Sequence, residues 1–247
     1  MKKLLLLAIG FVFLTSCQFK EEITFNKNGS GEYRLSVDMG HFMNMVKEMG
    51  EEQDSLQKSK KPEIQDTLYK LSDMINKDTD EWKRLTDEEK ELIKEMKDVS
   101  VKIHMNEQKG EMEMAYIYPF KKVSDLKGIM KKIRKLENNK KDKDGTLTEM
   151  DKSMPKTEVT YKFNKHRFKR EVKLLEPLKK AKKEESQKDE MLNVMRYKLV
   201  YHFPYQIKSV SYKDALLSAD RKTLIIEIPL SQISKNPKIT EFEVEFD

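Results

Sequence analysis

Apolar side chains in this chain recur at every second position over short runs, and turn-forming residues separate the runs. A period of two suits strands with one buried face and no helix, so it commits much of the chain to sheet. From Phe19 to Asp38, Ile23 and Phe25 alternate with polar neighbours, Asn28-Gly29-Ser30-Gly31 supplies turn chemistry, and Tyr33, Leu35 and Val37 alternate again. That pattern predicts a β-hairpin. Val99 to His104, a turn at Gln108-Lys109-Gly110 and Met112 to Tyr118 predict a second, and Thr157 to Val172 a third. Near the C-terminus Tyr197, Leu199, Tyr201 and Phe203 face one way, Leu224 to Leu230 is a compact apolar strand, and Phe242, Val244 and Phe246 alternate with glutamates.

Helical spacing intervenes between the hairpins. Asp38 can cap a helix carrying Phe42, Met45, Val46 and Met49, and Ile64, Leu68, Leu71 and Ile75 predict another after a polar linker over 51–63. Thr86 with Glu89 forms a capping box ahead of Leu92, Ile93 and Met96, and Leu126, Met130 and Ile133 mark a further helix. The expected class is α+β, with antiparallel hairpins forming a sheet and helices packed on one face. The division expected is 1–16 leader, 17–19 tether, 20–155 hairpin and helix region with a helical insertion at about 40–97, and 156–247 a β-rich region, either of the same domain or separate. Phe25-Asn26-Lys27 is echoed at Phe163-Asn164-Lys165, which fits either an internal repeat or convergent hairpin chemistry.

The amino terminus bears on compartment. Lys2 and Lys3 precede Leu4 to Leu14, a run without a charged or polar side chain, in the layout of a secretory signal. As a helix that run reaches only about 16 Å against a hydrocarbon core of about 30 Å. Leu14-Thr15-Ser16-Cys17 follows, and resembles the lipobox of bacterial lipoproteins, where small residues precede a cysteine. The resemblance implies cleavage between Ser16 and Cys17 and a diacylglyceryl group with fatty acyl chains on the Cys17 sulfur, so membrane attachment is through Cys17. Lys20-Glu21-Glu22 resembles a short surface-export signal of some Gram-negative lipoproteins, and Gln18 is not the aspartate of inner-membrane retention. Outer membrane is the expected location, with the leaflet open.

Charged and hydrophobic residues each make up 37% of the chain, and the formal net charge is +6, which is small for so many charges and no nucleic-acid signature. One cysteine leaves no disulfide. The four histidines, His41, His104, His166 and His202, lie in no metal-ligand spacing, so neither metal nor other cofactor is expected. No nucleophile elbow or phosphate loop occurs, and Gly29-Ser30-Gly31 reads as a turn. Fifteen methionines, clustered around Met39 to Met49 and Met105 to Met114, suit an irregular core. A basic amphipathic helix over about 121–141 can meet anionic headgroups. The expected function is non-enzymatic binding or scaffolding at the membrane by a lipid-anchored protein, the alternative a carrier of lipid or another apolar ligand. A cavity of several hundred Å³ would mark the carrier, and a filled core the scaffold.

Overall fold

The computed structural model describes residues 18–40, 64–75, 79–106, 108–138, 154–178 and 192–247. Twelve strands among them form two sheets. The larger has eight, in the order β10 (Leu216–Leu217), β11 (Thr223–Pro229), β8 (Arg196–His202), β1 (Gln18–Phe25), β2 (Gly31–Asp38), β5 (Glu111–Phe120), β4 (Ser100–Asn106) and β3 (Ile64–Lys70). The smaller has four, in the order β6 (Thr157–Phe163), β7 (Arg167–Leu174), β12 (Phe242–Phe246) and β9 (Ile207–Val210). Sheet dominates and the helices are short: α1 (Asp80–Arg84), α2 (Asp87–Glu95), α3 (Ile129–Asn138) and α4 (Leu230–Lys235).

All three expected hairpins form, as β1–β2, β4–β5 and β6–β7. Each turns on an asparagine. Asn26 Nδ2 donates to Ser30 Oγ at 3.0 Å, Lys109 N–H to Asn106 Oδ1 at 3.2 Å, and Arg167 N–H to Asn164 Oδ1 at 3.0 Å. The Phe-Asn-Lys echo therefore has a local cause, an asparagine opening a tight turn. At Gly31 the backbones close in: a Cβ there would lie 2.0 Å from Thr24 O and 2.6 Å from Phe120 Cζ.

Two features depart from the sequence reading. Ile64 to Ile75 is not a helix but the edge strand β3 followed by a 3-10 turn over Leu71–Met74. Positions four apart share a face in a strand as well as in a helix, so Ile64 and Leu68 do not discriminate the two. Both are more than 60% exposed, and pairing with β4 from Ile64↔Asn106 to Lys70↔Ser100 decides the conformation. The α+β class of antiparallel hairpins with helices holds, but the strands divide between two sheets: β1 pairs in parallel with the distant β8 in the larger, while β6, β7, β9 and β12 form their own layer. The helix expected after Asp38 lies outside the described residues, apart from its first positions.

The core lies on the inner face of the large sheet. Over β1 and β8 the small sheet covers it with aromatic rings. Phe25 stacks on Phe163 at 4.6 Å, Phe168 meets Tyr201 at 5.2 Å, and Phe203 meets Phe246 at 4.9 Å. Toward β4 and β5 the cover is helical, with Leu92 and Ile93 of α2 and Ile129 and Ile133 of α3 in one cluster with Val101 and Tyr116. The capping box starts α2 as expected: Glu89 N–H donates to Thr86 Oγ1 at 3.3 Å, and Thr86 N–H to Glu89 Oε2 at 2.5 Å. Met96 and Met195 are buried in this core, whereas Met43, Met45 and Met49 lie outside the described residues. The outward face of the large sheet carries ion pairs instead, Lys20 with Glu22 at 3.0 Å and Arg34 with Glu113 at 2.8 Å.

Candidate functional site

Strand β1 alternates inward Phe19, Glu21, Ile23 and Phe25 with outward Lys20, Glu22 and Thr24. The alternation sends a carboxylate into the core, and Glu21 is fully buried. Strand β7 does the same with a cation: Phe168, Arg170 and Val172 share the inward parity, and Arg170 is 3% exposed. The two meet across the gap between the sheets. Arg170 Nη2 donates to Glu21 Oε2 at 3.2 Å and Nε to Oε1 at 3.3 Å. Tyr161 and Tyr197 hydroxyls donate to the same carboxylate at 2.9 and 2.8 Å, and the Tyr201 hydroxyl also donates to it. Arg170 Nη1 donates to Thr240 O at 3.0 Å and Thr240 Oγ1 at 2.5 Å.

Burial pushes the Glu21 carboxyl up, but the Arg170 charge and the bonds from Arg170, Tyr201 and Tyr197 outweigh it and hold the group below the usual carboxylate range. Burial and then the Glu21 charge hold Tyr161, Tyr197 and Tyr201 well above the ordinary phenol value. The cluster is thus an ionised Glu–Arg pair with neutral tyrosines. Five donors saturate the carboxylate, leaving it no lone pair for proton abstraction. Its chemistry is that of a clamp between sheets rather than a general base.

Beside the clamp lies a cavity of about 160 Å³, partly open to solvent. Leu35 and Val37 of β2, Val159 and Val172 of the small sheet, and Ile133 of α3 give it apolar walls, and Phe19 borders it. Arg170, Tyr197 and Thr240 form one side, so the polar cluster is also cavity wall. Its charged lining residues are Arg134 and Arg170, both cationic. A ligand here would meet hydrocarbon over most of its surface and polar groups at one place, where the Arg170 charge is already balanced by Glu21. The volume is about half of the roughly 300 Å³ at the low end of ordinary small-molecule sites. It is close to the roughly 150 Å³ of an engineered apolar cavity that takes benzene.

The residues singled out in the sequence scatter. Ser16, Cys17 and His41 lie outside the described residues. Lys20 and Glu22 are outward, with Glu22 bonded to His202 Nε2 at 2.9 Å, and Glu21 is the clamp carboxylate. Clamp and cavity were missed, though one signal existed: an acid and a base at inward parity on strands otherwise apolar on that face. Within the basic region of 121–141, α3 turns Ile129 and Ile133 into the core, and Lys132 and Lys135 pair with Glu95 and Glu88 at 3.0 and 2.7 Å. Among the described residues no three His, Cys, Asp or Glu side chains converge as a metal site, and no helix is long and apolar enough to cross a membrane.

No protein-family model matches the chain, and a search of curated proteins returned no match. Among solved structures, the NMR structure of the folded domain of the Mycobacterium tuberculosis LppM protein is similar at a TM-score of 0.40 and 6% identity, over 94% of this chain and 89% of that one. A likeness so distant carries no argument about function, which rests on the cavity and its walls.

Proposed function

We propose that this chain is a lipid-anchored, non-enzymatic binding protein of the cell envelope, and that the cavity between its sheets takes an apolar segment of a ligand. The carrying observation is the cavity itself, apolar apart from one polar side formed by Arg170, Tyr197 and Thr240. Its volume favours gripping part of a ligand over the carrier that encloses a whole lipid, and a core with such a void favours binding over pure scaffolding. The anchor rests on Leu14-Thr15-Ser16-Cys17 and on the unspanning run before it. Strand β1 begins one residue after Cys17, and its Phe19 borders the cavity, so an anchored chain would hold the site near lipid. Two acyl chains give stable anchoring where one is marginal. Outer-membrane location and surface export through Lys20, Glu21 and Glu22 belong to the same proposal, as does headgroup contact by lysines of α3.

Native mass spectrometry of the detergent-extracted protein tests the binding part. The wild type is expected to carry an apolar adduct that Val37→Phe, which fills the cavity, loses. A wild type without adduct, or an adduct retained by a folded Val37→Phe, contradicts it. Cys17→Ser tests the anchor: the variant leaves the membrane fraction and takes no fatty-acid label, whereas a variant that still pellets and labels overturns the reading.

A further inference from the structure

A second cavity of about 100 Å³ lies against the first. Gly128 and the first turn of α3, Ile129 to Lys131, wall it together with Leu126, Glu158, Tyr161 and Leu175. The larger cavity continues along the next turn of the same helix, at Ile133 and Arg134. Met130, Thr157 and Val159 border both. The walls the two share are therefore one methionine of α3 and two small side chains of β6. Methionine is the side chain best suited to move aside, being unbranched with three rotatable bonds. Its Sδ accepts a hydrogen bond from the buried Tyr33 hydroxyl at 2.8 Å, so a swing of Met130 takes away that acceptor and must be offset by the chain that enters.

We propose that the two cavities are chambers of one channel for an unbranched acyl chain, with the Met130 side chain as the gate between them. This rests on the cavity reading above and names its ligand class. On the scale of a roughly 150 Å³ cavity that holds benzene, the larger chamber takes about six carbons and the smaller about four. Each alone holds a stub; joined, they hold a segment of about ten carbons. A ring or branched chain does not pass a waist that one methionine closes, whereas an unbranched chain does. Glu158 lines the smaller chamber and no acid lines the larger, so the carboxyl or ester oxygens rest in the larger chamber and the tail points past Met130. Every methylene that enters strengthens binding about fourfold.

Photolabelling of the full-length protein in its native membranes tests the channel. Two probes carry a photoactivated diazirine on an unbranched chain, at carbon four or carbon nine, each supplied as the free acid and as its phospholipid ester. The carbon-four probe is expected on Leu35, Val37 or Ile233, and the carbon-nine probe on Leu126 or Leu175. Either source satisfies the proposal, and which one labels identifies the source. Met130→Trp, which plugs the waist, abolishes the carbon-nine label and keeps the carbon-four label, while Met130→Leu labels as wild type does. Carbon-four labelling with no carbon-nine label at Leu126 or Leu175 in the wild type overturns the channel and leaves the larger cavity as the site. No label in either chamber from either source removes the binding reading as well.

Discussion

Replacing Glu21 by glutamine isolates the charge of the clamp while keeping its shape. The new amide keeps one carbonyl oxygen in place of two carboxylate oxygens; Tyr161 and Tyr201 donate to one of those and Tyr197 to the other, so at least one hydroxyl loses its acceptor. The larger change is at Arg170, a guanidinium 3% exposed that loses its counter-ion. Breaking a buried pair from one side costs about 3–5 kcal/mol, chiefly for the stranded charge. At about 2–4 °C per kcal/mol for a domain of this size, Tm falls by roughly 6–20 °C. Arg170→Met alone strands the carboxylate and costs a similar amount. The double variant Glu21→Gln with Arg170→Met strands no charge; its main loss is the donor to Thr240 O, about 1–3 kcal/mol. It is expected to be more stable than either single variant.

The clamp also sets an acid limb. Glu21 titrates below its ordinary value of 4.5 in the fold, so its contribution is complete above the unfolded value and disappears as pH falls through the lower folded one. Urea unfolding of the four proteins, followed by circular dichroism at pH 7 and again between about pH 5 and 2, reads both effects. Glu21→Gln flattens the acid loss of the wild type. A single-variant cost under 1 kcal/mol, or a double variant as unstable as the sum of the singles, refutes the reasoning.

Other outcomes follow from the packing. Gly31→Ala puts a methyl group against Thr24 O and Phe120, and is expected to lower the urea midpoint substantially; a midpoint within error of wild type contradicts the close approach. Phe168→Ala removes a fully buried ring that packs on Phe25, Tyr201 and Phe242, at about 3–5 kcal/mol of unfolding free energy. Thr86→Ala removes the cap acceptor at the start of α2, for about 1 kcal/mol and faster local amide exchange in that helix. Leu68→Ser, on the exposed side of β3, stays within about 0.5 kcal/mol of wild type by the same urea assay.

The hairpins were legible because turn chemistry and alternation agree at Ile23 to Val37, Val99 to Tyr118 and Thr157 to Val172. Helix α2 was legible from Thr86 and Glu89 alone, since a capping box is local. Strand β3 was not, because an edge strand takes its conformation from its neighbour, and Ile64 and Leu68 satisfy both periods. The parallel pairing of β1 with β8 leaves no local trace, so the division into two sheets was out of reach. The clamp was half visible. Glu21 sits at the inward parity of β1 and Arg170 at that of β7, but only the parallel pairing and the second sheet bring them together. Read along the chain, Lys20-Glu21-Glu22 is one continuous charged stretch resembling an export signal; the pleat puts its middle residue in the core and the other two outside. The cavity is a property of packing between β2, β6, β7, α3 and α4, and no sequence period reports a void.

The central claim is that the space between the sheets binds an apolar chain. Intermolecular nuclear Overhauser contacts between an added unbranched fatty acid and selectively labelled methionine, isoleucine and valine methyl groups test it most directly. The account predicts contacts from the chain to Val37, Met130 and Ile133, with none to Met96, which is buried in the core away from the cavity wall. A bound chain touching surface methyls while those three stay silent would contradict it.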